Sequence, residues 1–198
     1  MFRAMRSVTA AVAVAALGCA AFAAEPVRLP KGGKVVAVYD GDTITVEADG
    51  KRHKCRLLGI DAPEMSYGRL RGELEKLARL ATLDDRKRLH PAMVALFTWT
   101  RRMEQQAKVA RDELAKLVKD KAVTLGYDST EGPRDRYKRL LVYVGVGGVD
   151  VNGEIVRRGL AVAERRFQAD RLKAYIGLER EARKAKQGMW AEPGDSDK

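Results

Sequence analysis

From Lys34 to Ile60 apolar residues come in short runs and alternations at strand spacing, while from Leu70 onward they recur every three to four residues over long stretches. Val35, Val36, Val38 and Tyr39 run into Asp40-Gly41-Asp42, a tight-turn signal, and Thr43-Ile44-Thr45-Val46 resumes a strand. Asp49-Gly50 predicts a hairpin turn, and Arg52 to Ile60 a third strand. Three strands joined by short turns describe a meander.

Beyond Glu64 the period changes. Leu70, Leu74, Leu77 and Ala81 fall at helical spacing with charges between them. His90-Pro91 interrupts the pattern, and Pro91 suits the first residue of a new helix, because its missing N–H has no partner there anyway. Met93, Leu96, Phe97, Met103, Ala107, Ala110, Leu114 and Leu117 carry that helix to about Val118. Strands return at Ala122 to Tyr127 and Arg139 to Val144, separated by a polar loop from Asp128 to Lys138. A short helix follows from Val151-Asn152 to about Gly159, and an amphipathic one from Ala169 to Gln187, closed by Gly188 and anchored by Trp190. The prediction is an α+β chain: a five-stranded barrel of the oligonucleotide-binding (OB) type with three helices plus an inserted helical segment. The barrel domain spans 34–190, after a polar lead-in at 24–33, with the insertion at about 65–103 and a tail at 191–198.

Charge and the N-terminus add a setting. The chain carries 38 Lys+Arg against 27 Asp+Glu, a net charge of +11, which favours a polyanionic partner through steering and counterion release. Arg3 and Arg6, the apolar run Val8 to Leu17 and the small residues of Ala21-Phe22-Ala23 have the pattern of a secretory signal peptide over residues 1–23. That run is too short for a permanent membrane anchor, so no stable membrane insertion is expected. The expectation is export, periplasmic or secreted, with lipid anchoring through Cys19 of Leu17-Gly18-Cys19 as the lesser alternative. Without the leader only Cys55 remains, which excludes an intramolecular disulfide, and one cysteine with His53 and His90 cannot build a structural zinc site.

The chemistry-bearing residues cluster at strand ends. Asp42 closes the first turn, and Arg56, Asp61 and Glu64 flank the apolar third strand, so acids and an arginine converge on one rim of a barrel. Hard divalent cations take oxygen ligands, for which two carboxylates, a main-chain carbonyl and waters suffice. Arginine is the side chain for bidentate phosphate binding. Cys55 alternates with Arg56 and is expected in the core; His53 and His90 are expected at the surface. Gly145-Val146-Gly147-Gly148 reads as a turn, since no parallel βαβ unit precedes it.

The blocks VVAVYDGDTITV, CRLLGIDAPE, DRYKRLLVYV, VNGEIVRRGLA and KQGMW, in that order, resemble those of the staphylococcal-nuclease (thermonuclease) family over roughly residues 34–64 and 104–190. The resemblance implies Ca²⁺ as cofactor, with Mg²⁺ or another divalent cation the lesser choice, on Asp42, Asp61 and the main-chain carbonyl of Ala62. It implies phosphate-binding Arg56 and Arg139 and an essential Glu64 as catalytic residues, acting on DNA or RNA to leave 3′-phosphate ends. Tyr137 and Lys138 stand beside Arg139 as substrate-binding residues; Lys138 replaces a glycine frequent in the family. Where the type member has base-stacking tyrosines this chain reads Val162-Ala163-Glu164-Arg165-Arg166-Phe167, which leaves stacking to Phe167, an arginine plane or Tyr137. The inserted segment is either a lid, wall or dimer contact, or a helical hairpin with Phe97 and Trp99 in its core. Two alternatives to the nuclease are a non-catalytic nucleic-acid-binding module on the same barrel, and a basic exported protein that binds an anionic surface or a protein.

Overall fold

The computed structural model describes residues 28–80 and 91–191; the signal-peptide expectation, Ala81, His90 and the tail beyond 191 lie outside the described residues. β1 (Gly32–Val38), β2 (Thr43–Ala48) and β3 (Lys51–Leu57) form the meander. The β2–β3 register from Thr43↔Arg56 to Ala48↔Lys51 turns on Asp49-Gly50, both at positive φ (50° and 69°), as a two-residue hairpin loop requires. β5 (Ala122–Gly126) pairs with β1 and with β6 (Leu140–Val146), and β6 pairs in parallel with β3 through Cys55↔Leu140, Arg56↔Leu141 and Leu57↔Val142. The order β3-β2-β1-β5-β6 thereby closes on itself, giving the expected five-stranded OB-type barrel, with β7 (Val149–Asp150) on the outer edge of β6. Val35, Ile44, Val46, Cys55, Leu57, Leu140 and Val142 fill its interior and are fully buried.

The third strand departs from its expected length. It stops at Leu57 because Gly59 adopts φ 77°, a conformation that breaks the ladder. Ile60 and Asp61 then form a separate strand, β4 (Ile60–Asp61), paired with β8 (Val162–Ala163). Asn152, fully buried, holds this break in place. Its amide donates to the carbonyls of Leu58 and Val142 (3.0 and 3.1 Å) and accepts from Val144 N–H (3.0 Å). Those bonds give the Leu58 carbonyl at the break a partner, and they anchor the turn from which Asp61 projects.

The described residues hold four α-helices: α1 (Tyr67–Leu80), α2 (Pro91–Val118), α3 (Val151–Arg157) and α4 (Leu172–Lys184). α2 begins on Pro91 as the sequence predicts, and it crosses residue 103 without a break, so the inserted segment and the barrel-packing helix are one continuous rod. Its second half buries Ala110, Leu114 and Val118 against the barrel. Its first half pairs with α1 through Arg71–Glu104 (2.8 Å) and an edge-on Tyr67–Trp99 contact (ring centroids 5.1 Å apart). α3 is capped by Asp150, whose carboxylate accepts from Gly153 N–H. α4 lays Tyr175, with Leu172, Ile176 and Leu178, on the barrel as its pattern predicts. No helix among the described residues is long and apolar enough to cross a membrane.

Candidate active site

The Asp40-Gly41-Asp42 turn delivers its last carboxylate into the protein. Gly41 is required there because a Cβ would lie 2.6 Å from that of Ala62 and 2.8 Å from that of Ala110. The turn can thus press against both the β4 exit and α2, and Asp42 ends only 3 % exposed. Its Oδ2 accepts from the Ala62 main-chain N–H and meets Arg56 Nη1, each at 2.8 Å; its Oδ1 accepts from the Thr43 hydroxyl at 3.0 Å. The other arm of the Arg56 guanidinium reaches Asp61 Oδ1 at 2.8 Å, and Nη1 also donates to the Leu57 carbonyl (3.2 Å). A single buried guanidinium thus spans the carboxylates of Asp42 and Asp61.

Arg139 enters from the start of β6. Asp135 grips it twice, accepting from its main-chain N–H (2.9 Å) and from Nε (2.7 Å), which leaves Nη1 to approach the Thr43 hydroxyl at 3.5 Å. Thr43 therefore links Arg139, just ahead of β6, to Asp42, just ahead of β2. Glu64 lies just past β4, exposed, and its carboxylate accepts no hydrogen bond among the described residues. Tyr137 is 64 % exposed, with the guanidiniums of Arg136 and Arg139 4.8 and 5.5 Å from its ring centre. Lys138 is exposed beside it at φ 64°, the conformation that a glycine would adopt without strain.

Asp42, Asp61 and Glu64 all resist ionisation. Burial, aided by the nearby Asp40 charge, pushes Asp42 up to about 7 despite the opposing pull of Arg56. Burial raises Asp61 as well, with Glu164 and Asp40 adding to it, and raises Glu64, with Asp40 and Asp61 adding to it. One shared guanidinium does not balance this much negative charge out of water. The donor set fits a hard divalent cation: two carboxylate oxygens, the Ala62 carbonyl and solvent. Among the described residues no three acidic, histidine or cysteine side chains gather tightly enough to hold an ion without such main-chain and water oxygens.

All eight residues expected at the site are thus placed. Asp42, Arg56, Asp61 and Ala62 form one bonded cluster, Arg139 joins it through Thr43, Glu64 stands at its open side, and Tyr137 and Lys138 flank Arg139. Phe167 is partly buried against the core, so less of its ring is open than that of Tyr137. Two groups went unread. Asp135, a side-chain acceptor two residues before Tyr137 and four before Arg139, carried a turn signal that could have exposed its role. Glu164, 7 % exposed and paired with Arg166, adds its field to Asp61 only because β8 lies on β4, a pairing no local signal announces.

Comparison with known proteins agrees with this geometry. Residues 54–192 match the staphylococcal nuclease homologue family. The chain is 29 % identical to the thermonuclease of Staphylococcus hyicus over 161 residues, covering 80 % of this chain and 75 % of that one. It is 31 % identical to an uncharacterized endonuclease of Escherichia coli O157:H7 over 163 residues, covering 81 % and 77 %. An uncharacterized protein of Methanocaldococcus jannaschii is 29 % identical over 168 residues, covering 80 % and 70 %. The chain therefore belongs to the staphylococcal nuclease homologue family.

Proposed function

We propose that this nuclease is exported and divalent-cation-dependent, and that it hydrolyses phosphodiester bonds of DNA and/or RNA to leave 3′-phosphate ends, with Ca²⁺ as the preferred ion. The observation that carries the reading is the Arg56 guanidinium held between Asp42 and Asp61 at 2.8 Å on each side, with Glu64 and Arg139 beside it. This is a positively charged slot set among acids, on the rim of a basic barrel.

Asp42, Asp61 and the Ala62 carbonyl would hold the ion, which would supply Lewis-acid neutralisation of phosphate charge. Arg56 donates to the same phosphate, whose oxygens gain charge as phosphorus becomes pentacoordinate. Glu64, the one acid of the rim free of hydrogen-bond donors among the described residues, orients the attacking water and accepts its proton; its raised affinity for a proton suits a base. As the P–O5′ bond breaks, Arg139 stabilises the departing oxygen, held in its pose by Asp135. Tyr137 offers an exposed ring to a base and Lys138 a charge to a neighbouring phosphate. Export rests on the N-terminal pattern alone.

Gels cast with DNA or RNA and developed in Ca²⁺, in Mg²⁺ or in EGTA test this directly. Clearing in Ca²⁺ that EGTA abolishes is expected. Salt-sensitive binding without cleavage in any metal would replace the nuclease with a binding module on the same barrel.

A further inference from the structure

We propose that Tyr67 and Trp99 form a base-stacking platform on the α1–α2 hairpin, one that takes an unpaired base of the substrate just beyond Glu64; this rests on the nuclease reading above. The platform is tied to the reaction centre by the shortest possible connection. Tyr67 N–H donates to the Glu64 carbonyl (3.3 Å), closing a turn that keeps the two Cα atoms within about 7 Å. Trp99 meets the Tyr67 ring edge-on, centroids 5.1 Å apart and planes at 84°, yet stays 45 % exposed.

The sequence allowed Trp99 to be core, and it is not. Other apolar side chains of these two helices are open to water as well. Leu70 follows Tyr67 by one turn of α1, and Leu96 precedes Trp99 by one turn of α2; both are exposed. An open aromatic beside open aliphatic side chains is a surface prepared for contact.

Charge decides what it contacts. Arg102, one turn after Trp99, donates only to the carbonyls of Met189 (3.4 Å) and Ala191 (3.1 Å), so its charge meets no carboxylate among the described residues. Arg69 and Arg101 are exposed and likewise form no ion pair among the described residues. By contrast Arg71 pairs with Glu75 and Glu104, and Lys108 with Glu104. An open aromatic ring with an uncompensated guanidinium one helical turn away, on a chain of net charge +11, suits a base carried on a phosphate backbone better than an apolar protein surface. Tyr137 serves a base next to Arg139, and the hairpin serves one next to Glu64.

The test is a KM-against-kcat comparison on a short single-stranded oligonucleotide. Trp99→Ala raises KM roughly 5- to 100-fold and leaves kcat unchanged, Trp99→Phe restores the wild-type KM, and duplex of the same sequence is affected less. In parallel, with EDTA present, the oligonucleotide quenches tryptophan emission of the wild type but not of Trp99→Phe, whose only remaining tryptophan is Trp190. Cleavage with an unchanged KM in Trp99→Ala, or with no quenching at oligonucleotide concentrations that saturate binding, overturns the platform and leaves the nuclease standing. Quenching without cleavage in any metal does the reverse. A wild-type dimer that Trp99→Ala converts to monomer in sedimentation overturns it in favour of a second copy of the chain.

Discussion

Asp42 and Asp128 are both aspartates at the margins of the barrel, and both collect several hydrogen bonds, yet their acidities are displaced in opposite directions. Asp128 accepts from Thr130 N–H and hydroxyl (2.9 and 2.7 Å), Glu131 N–H (3.0 Å), Asp170 N–H (2.7 Å) and the Tyr143 hydroxyl. Burial alone would raise it, but these donors, Tyr143 first, outweigh burial and hold its carboxyl well below the usual carboxylate range. It fastens the 128–131 loop to the segment that leads into α4. Asp42 also has three donors, but it is deeper, sits beside Asp40 and shares its one cation with Asp61. A carboxylate whose donors exceed its burial is a staple. One whose burial and like-charged neighbours exceed its donors marks where further positive charge is wanted.

The sharpest way to separate the two clusters is through catalysis. Glu64→Gln keeps the shape of the rim and removes the proton acceptor, so kcat should fall on the order of 10²- to 10⁴-fold while the melting temperature holds. Full activity in that variant would remove Glu64 from the mechanism. Next in size is Asp128→Asn, which leaves donors facing an amide and should cost about 1–3 kcal/mol in urea unfolding, with kcat of the folded protein unchanged. Asp42→Asn should do the opposite. Calcium no longer protects the variant from thermal unfolding, whereas in EDTA it melts no lower than wild type, because a buried charge has gone. A lower melting point in EDTA would show Asp42 to be a staple after all.

The smallest effect is a pair of pH slopes. The folded-state affinity of Asp42 for a proton is raised, from 3.8 to about 7, so the metal-free protein should lose stability as pH rises from about 4 to 7. Asp128 is lowered, so its contribution is complete above about 4 and disappears as pH falls further. Melting curves in EDTA should therefore fall on both sides of pH 4, with Asp42→Asn flattening the upper limb and Asp128→Asn the lower.

Much of this was legible from residue order. The meander, the Asp49-Gly50 hairpin, the start of α2 at Pro91 and the α3 and α4 helices follow from spacing and turn chemistry, which act over a few residues. The acids and arginines of the site were legible as types because each ends an apolar strand. Less legible was the β3–β4 break, since Gly59 inside an apolar run is compatible with a continuous strand until Asn152, 93 residues later, secures the alternative. Asp135 and Glu164 were missed for related reasons. One acts through a turn whose geometry was not specified, and the other through a strand pairing across 100 residues.

Local chemistry thus determined which elements form and which side chains they carry to their ends, because periodicity, caps and turns are short-range properties of the chain. Tertiary structure alone decided that one guanidinium spans two acids, that Asp42 is buried hard enough to hold its proton near neutral pH, and that Trp99 faces water against Tyr67. Those outcomes depend on desolvation and on fields from residues distant in sequence, and both exist only once the barrel has closed.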